Sequence, residues 1–408
     1  MTVFRPSDAT ELGEVVRWAA AESQGLEIVA GGSKRALGRP VRTEHVLDVG
    51  ALSGVVDYDP AELVLTARAA TPLAVIESLL EESGQMLAFE PPDWSDLLAD
   101  PDAPPGAGPT LGGVIACNLS GPRRVRAGAA RDHLLGLAAV NGRGDAWKSG
   151  GTMVKNVTGY DLCKLQAGAY GTLSVLSELT VRALPRPETS CSLILAGLDD
   201  AAGLRSMTAA LNTPHEVSAA AHLPAAVVAR WDAFTADGAV TALRLEGPAP
   251  SVKERANALE AVVGCGARLR GADSTSFWTA IGTVQPLLPP DHAIIWRICP
   301  TPASAATLLD RIRTTCPSAE GFFDWGGGIV WLSLDARDVG ADCGAATVRE
   351  AVAANGGHAT LVRASESARE TVAVFEPAPP PLQALLRRVK AGFDPKGVLN
   401  PGRLLREA

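Results

Sequence analysis

In the first half of the chain the hydrophobic positions fall into alternating helical and strand-like stretches. Leu12, Val15, Val16 and Ala19 recur at helical spacing behind Thr10, which predicts a helix capped by Thr10 and ending near Gly25. LEIVA then reads as a short buried strand, and EHVLDV and ELVLTARA as two more. ATPLAVIESLLEESGQ places Thr71 as cap and Pro72 at the first helical position, with Leu73, Ile76, Leu79 and Leu80 on one face. The proline-rich stretch at residues 91–109 is long enough to mark a functional loop or an insertion. LLGLAAVNGRGDAWKSGG reads as two strands around an Asn141-Gly142 turn.

The texture changes near residue 188. Three stretches, beginning at CSLILAG, TALRLEG and AIIWRIC, each read strand, polar turn, helix, and GIVWLSL and HATLVRA read as further strands. This predicts a loosely repeated antiparallel α+β domain with helices on one face. The last stretch predicts a helix with Leu382, Leu385, Leu386 and Val389 inward, then a Pro/Gly-rich end. The expected division is 1–187, 188–377 and a C-terminal helix and tail over 378–408.

Length and composition agree with two main domains: 408 residues at 47% hydrophobic content can bury a substantial core. A net charge of -8 and the lack of a dense Lys/Arg run argue against nucleic acid. The N-terminal residues lack the apolar core of a signal peptide, and no run approaches the roughly 18 apolar residues of a membrane span. The expectation is a soluble, cytoplasmic chain. The seven cysteines are never closer than 17 residues, and the histidines show no ligand spacing, so neither an iron–sulfur cluster nor another metal is expected.

Candidate chemistry begins with IVAGGSKRALG at residues 28–38. No Gly-Lys dipeptide occurs anywhere, which excludes a P-loop, and no Gly-x-Gly triplet has the third glycine of a Rossmann turn in register. Strands rather than a helix follow this turn. Any phosphate would therefore be held by the turn's own N–H groups, which glycine lets approach closely, with Lys34 or Arg35 adding charge.

Two more glycine clusters follow, one at 109–137 that begins PTLGGVIACNLSG and one at 155–187 that begins KNVTGYDLCKLQAGAYGTL. In this order the three resemble the FAD-binding domain of the vanillyl-alcohol oxidase, or PCMH-type, family. The wording GPRR, RDHLLGL, VNGRGD, VKNVTGYDLCKLQAGAYGTL and FDPKGVLNPGRL narrows the resemblance to the smaller FAD-binding subunits of bacterial glycolate oxidases. The resemblance implies a two-subdomain FAD domain, an antiparallel ferredoxin-like α+β cap, and a C-terminal helix that returns to the FAD domain. It implies noncovalent FAD held by Ala30, Gly31, Gly32, Ser33, Lys34 and Gly38 as one half of a clamp. Pro109, Thr110, Leu111, Gly112, Gly113, Asn118 and Gly121 would form the other half, with Arg124 and Asp132 beside them. Tyr160, Gly168, Gly171, Thr172 and Val175 of the third cluster and Asn400 of the tail complete the set. Arg123, Arg124 and Arg126 stay open to FAD phosphates, a substrate carboxylate, an acidic partner or plain solvent.

Oxidation of a 2-hydroxy acid asks the protein for a base and one or two carboxylate-binding arginines. The larger catalytic members of this branch carry His-x-Gly-Asp-Gly-Asn-x-His and Glu-His-Gly metal-binding stretches, which are absent here. The nearest remnant is GGHATLVRA, with His358 and Arg363 as catalytic candidates. Five residues apart on a strand, they point to opposite faces unless a bulge or bend intervenes. The resemblance also implies partners: a larger catalytic FAD subunit and an iron–sulfur subunit, making glyoxylate from glycolate, with peripheral membrane docking through that complex left open. A vestigial-flavin assembly subunit and a self-sufficient 2-hydroxy acid dehydrogenase are the alternative readings.

Overall fold

Short apolar segments at β1 (Thr2–Phe4), β2 (Glu27–Val29) and β3 (His45–Asp48) build a three-stranded parallel sheet in the order β1-β3-β2. The computed structural model that shows this describes residues 1–98, 108–152, 159–264, 266–288 and 293–405. Residues 99–107 of the 91–109 loop, and residues 153–158, which take in the start of the third glycine stretch, lie outside the described residues. The chain folds into two units. One comprises Met1–Leu119, Ala129–Arg186 and Pro377–Ala408, the other Ser120–Gly128 and Pro187–Glu376. Residues 120–128, read with the first domain from sequence, thus group with the second unit.

The first unit also holds an antiparallel sheet of β4 (Val55–Asp59), β5 (Val64–Arg68), β7 (Leu134–Asn141), β8 (Ala146–Gly150) and β9 (Ser174–Arg182), in the order β4-β5-β9-β7-β8. A short pair, β6 (Gln85–Met86) with β10 (Leu184–Pro185), accompanies it. The helix Ala9–Glu22 joins the two sheets: Leu12, Val16 and Ala19 are fully buried in one core with Leu47, Val140 and Val175. Its cap is Asp8 rather than Thr10, because the Asp8 carboxylate accepts from the N–H groups of both Thr10 (2.8 Å) and Glu11 (2.9 Å). Thr71 does not cap the next helix, Leu73–Glu82, either. Its hydroxyl is turned back to the carbonyl oxygens of Gly54 and Arg68. The β7–β8 hairpin forms as expected, with Asn141 Oδ1 accepting the N–H groups of Arg143 and Asp145 across the turn.

The C-terminal helix Pro380–Phe393 lies in the first unit, but its apolar face is not inward: Leu382 and Leu385 are 45% and 50% exposed. It is fixed instead at its last turn. Lys390 Nζ donates to Thr172 O (2.7 Å), Leu399 O (3.1 Å) and Asp394 Oδ2 (2.6 Å), and the buried Asp394 caps Val398 and Leu399.

The second unit is one antiparallel eight-stranded sheet: β11 (Thr189–Ala196), β12 (Ala219–Leu223), β13 (Val240–Gly247), β14 (Ala267–Arg270), β15 (Ala293–Pro300), β16 (Glu320–Asp324), β17 (Ile329–Asp335) and β18 (Gly357–Arg363). The order β14-β11-β13-β12-β16-β17-β15-β18 is two four-stranded halves, each running 4-1-3-2, joined through their second strands. Each half is a βαββαβ ferredoxin-like unit. The helices Asp200–Leu211, Ala249–Val263, Ala305–Thr315 and Ala345–Asn355 bury their apolar stripes with Leu193, Leu245, Trp296 and Leu332. Helices are not confined to that face: Gly271–Gly282 packs on the opposite one, where Trp278 Nε1 donates to Ser192 Oγ at 2.7 Å. Among the described residues no helix is long and apolar enough to cross a membrane.

Candidate functional site

The turn after β2 depends on glycine at two positions. A Cβ on Gly31 would stand 2.2 Å from Gly108 O and 3.1 Å from Thr110 Cγ2, so this residue is where the first two glycine clusters meet. Gly32 has φ 76°, in the left-handed region that other residues avoid. Arg35 and Leu37 return their N–H groups to Gly32 O and Lys34 O. The N–H groups of Gly31, Gly32, Ser33 and Lys34, by contrast, have no acceptor among the described residues. Successive unpaired N–H groups in such a turn form an anion-binding concavity.

Lys34 supplies the charge. Its Nζ donates to Ser33 Oγ at 3.2 Å, no carboxylate among the described residues forms an ion pair with it, and burial pushes its pKa below the usual lysine value. Arg35 is engaged elsewhere, holding Glu27 through hydrogen bonds of 3.0 and 2.6 Å. Arg403, from the C-terminal tail and 6% exposed, reaches the same carboxylate at 3.5 Å and donates to Leu37 O at 3.1 Å. Of the two cations named from sequence, Lys34 is the one left for an anion.

The second cluster contributes closeness rather than donors. The N–H groups of Leu111, Gly112 and Gly113 already bond Thr71 O (3.0 Å), Ala69 O (2.7 Å) and Thr110 Oγ1 (3.2 Å). A Cβ on Gly112 would lie 2.7 Å from Ala69 O. The third cluster and the tail meet at Asn400, which accepts from Ile28 N–H (2.9 Å) and donates to Tyr170 O (2.8 Å), while a Cβ on Gly171 would press on its Nδ2 at 2.8 Å. Residues of all three clusters and of the tail line one cleft within the first unit. N–H groups without an acceptor and a half-buried ammonium without an ion-pair partner among the described residues, with glycines that clear the backbone, fit a dinucleotide pyrophosphate.

Of the residues named from sequence, Ala30, Gly31, Gly32, Ser33, Lys34, Thr110, Gly112, Gly113, Gly171, Val175 and Asn400 line this cleft. Others do not. Gly38 and Gly168 are positive-φ turn residues, with φ 87° and 86°. Pro109 and the fully buried Leu111 tie down the neighbouring helix through Leu73 N–H and Thr71 O. Asn118 closes the helix Leu111–Cys117 and accepts from Arg131 N–H, Asp132 accepts from Ala129 N–H, and Thr172 turns its hydroxyl to Ala169 O. Tyr160 is 92% exposed. Gly121 and Arg124 lie in the second unit, where Gly121 O accepts from Trp325 Nε1 and Arg124 stacks on the Trp325 ring at 4.3 Å. Sequence reasoning missed Cys117, Tyr170 and Arg403 as lining residues. All three sit inside motifs already quoted, so proximity to those glycines was the available signal.

On the second unit, β18 contains the bulge that His358 and Arg363 require. Cys299 pairs with His358 and Arg297 with Thr360, but Ile295 pairs with Arg363 while Trp296 pairs with Leu361. One extra residue shifts the alternation, so Arg363 returns to the face carrying His358. Arg363 donates to Leu288 O at 3.5 Å. Among the described residues no cluster of His, Cys, Asp or Glu could hold a metal ion.

Comparison with known proteins is consistent with this geometry. A family model described as an FAD binding domain matches residues 2–150. Glycolate oxidase subunit GlcE of Escherichia coli (strain K12) is 35% identical over 398 residues, covering 97% of this chain and 96% of that protein. D-2-hydroxyglutarate dehydrogenase of Xanthomonas citri pv. viticola is 31% identical over 199 residues, 48% of this chain and 39% of that one. Among solved structures, p-cresol methylhydroxylase with substrate bound superposes with a TM-score of 0.71 at 12% identity, covering 99% of this chain and 88% of that chain, a likeness of fold.

Proposed function

This chain belongs to the family of the glycolate oxidase subunit GlcE, FAD-linked oxidoreductases, and from that premise we propose that it is the smaller FAD-binding subunit of a glycolate-oxidising complex. The observation that carries the reading is the turn 31–34, whose N–H groups have no acceptor among the described residues, beside Lys34, whose ammonium has no ion-pair partner among them. These groups hold the pyrophosphate, Lys34 offsets its charge, and Asn400 fixes the neighbouring strand and third glycine cluster around it. Bound FAD supplies the two-electron acceptor that converts a 2-hydroxy acid to a 2-oxo acid. The substrate is glycolate and the product glyoxylate. His358 and Arg363, on one face of the second unit's sheet, serve as base and carboxylate ligand. The partners are a larger catalytic FAD subunit and an iron–sulfur subunit that takes the electrons onward. Cysteines spaced no closer than 17 residues in this chain support an acceptor cluster held elsewhere.

The test is the visible absorption spectrum of the purified chain, followed by glycolate without oxygen. A flavin spectrum that stays oxidised until the partner subunits are added supports the subunit reading, in which this flavin works only within the complex. Bleaching by the lone chain means that it oxidises substrate itself. A chain that binds no flavin under any condition overturns the reading and leaves an assembly role.

A further inference from the structure

Beyond the cofactor cleft, the second unit carries a cationic patch on one sheet face. Along β15 the even residues Ile294, Trp296 and Ile298 are buried against the helices, which turns Arg297 and Cys299 to the other face. Arg297 is paired across the sheet with Trp331 on β17 and Thr360 on β18, and Cys299 with His358. Arg297 has no hydrogen bond or ion pair among the described residues, and its Nε is a fully buried donor with no acceptor. A buried guanidinium N–H without a partner is costly, and native structures rarely leave one unmatched. His358 is exposed and stands directly across from the half-buried Cys299 as its cross-strand partner.

The charges facing this patch are nearly all of one sign. Arg297 comes from β15, His358 and Arg363 from β18, and Arg124 from the segment 120–128, whose field reaches Cys299. The acidic group that acts on His358 is Glu376, and it is already occupied by Arg349 and by the N–H of Ala359 (2.9 Å). Burial alone would raise the Cys299 pKa, but the facing His358 and the positive charges outweigh it, and the thiol is held below its ordinary value. The His358 imidazole is correspondingly raised, chiefly by the facing Cys299. Cys299 is therefore a built-in reporter of charge at Arg297.

We propose that this face of the second unit is a binding site for a small carboxylate, with the Arg297 guanidinium as its anchor and Cys299 and His358 at its edge. That the anion is a short 2-hydroxy acid such as glycolate rests on the glycolate-oxidising reading; the anion site itself does not. A planar guanidinium with no ion-paired acid among the described residues suits a carboxylate through two parallel N–H donors. An anion seated there withdraws the Arg297 charge from Cys299, so the thiolate fraction falls.

The experiment alkylates Cys299 with iodoacetamide in the full-length protein as purified and follows that peptide by mass spectrometry. Glycolate should slow the reaction about fivefold relative to sodium chloride of equal ionic strength, the change expected for a thiol pKa raised by somewhat under one unit. Ethylene glycol, which lacks the carboxylate, should give no protection. Arg297→Met should abolish the protection, and Arg297→Lys should keep part of it and serves if the methionine variant fails to fold. No protection of the unmutated protein by glycolate, or equal protection in Arg297→Met, overturns the site. Flavin content is measured in the same samples. Protection without flavin sinks the cofactor reading alone, and flavin without protection sinks this one alone.

Discussion

Arg123 Nη2 donates to Glu246 Oε1 at 2.8 Å, joining side chains that are 12% and 10% exposed and 123 residues apart in sequence. Two more contacts fix the same segment: Arg126 with Glu216, and Arg124 on the Trp325 ring. The arginines of GPRRVRAG thus organise the second unit around residues 120–128. Breaking a buried pair strands the remaining charge, at a cost of about 3–5 kcal/mol. Glu246→Ala should lower the denaturation midpoint accordingly and open 120–128 to trypsin. An unchanged midpoint together with unchanged trypsin resistance would show that the pair does not hold the segment.

Gly32→Asp should abolish FAD retention. The backbone at φ 76° disfavours the new side chain, and its carboxylate would stand in the turn whose N–H groups await an anion. The flavin-to-protein absorbance ratio after gel filtration reads this directly, and full flavin occupancy in the variant would remove the clamp assignment.

The lowered pKa of Lys34 gives a pH dependence of definite sign. Burial disfavours the ammonium, so without an anion the fold gains stability as pH rises through the lowered folded value toward the usual lysine value. A bound pyrophosphate reverses the preference, because it stabilises the charged form. FAD affinity should therefore fall as pH rises through that window, with proton uptake on binding. Lys34→Met should bind about 10–100-fold more weakly, the loss of one charged hydrogen bond at ~1.5–3 kcal/mol, with a flatter pH profile. Parallel profiles for the two proteins, followed by flavin fluorescence, would rule Lys34 out.

Asp200 provides an acid-sensitive joint inside the second unit. Burial opposes its ionisation, but hydrogen bonds from the fully buried His222 (3.3 Å) and from Arg313 (2.8 Å) outweigh it and hold the carboxyl below its ordinary value. A carboxylate with a depressed folded pKa contributes stability above the usual aspartate value and loses it as pH falls through the folded one. Asp200→Asn should cost about 1–3 kcal/mol at neutral pH and less in acid. Urea titrations at both pH values check the convergence; curves that stay apart in acid would contradict it.

The amino-acid pattern carried the elements with a strong apolar signal. Nearly continuous apolar runs in AIIWRIC and GIVWLSL located β15 and β17, which are buried on both faces, and the helical stripe of Leu12, Val16 and Ala19 located the first helix. Caps were less legible, since Asp8 and Thr10 are both capping residue types and only the backbone path selects Asp8. The bulge in β18 left no mark, because an inserted residue changes the register without changing composition. The partners of Arg123, Arg124 and Arg126 were hidden for a related reason: charge names a need for a partner but not its address, and Glu216, Glu246 and Trp325 lie far along the chain. Leu382 and Leu385 show the limit of periodicity, which says where a helix is apolar and nothing of what covers it. In the cofactor cleft the glycines were legible as a set, whereas the division between donors at 31–34 and spacers at 112–113 depends on which N–H groups the fold has already used.

Asn400 and Arg403 belong to the cleft that begins at Ala30, yet they leave the ribosome only after the whole of Pro187–Glu376 has been made. The nascent first unit must wait, with the edge of β2 unclosed, while a complete second unit is synthesised between its own parts. If this cleft holds the dinucleotide, as proposed, its loading waits for residues 400–403, and a chain cut before residue 400 should retain no flavin even though every glycine motif has already been translated.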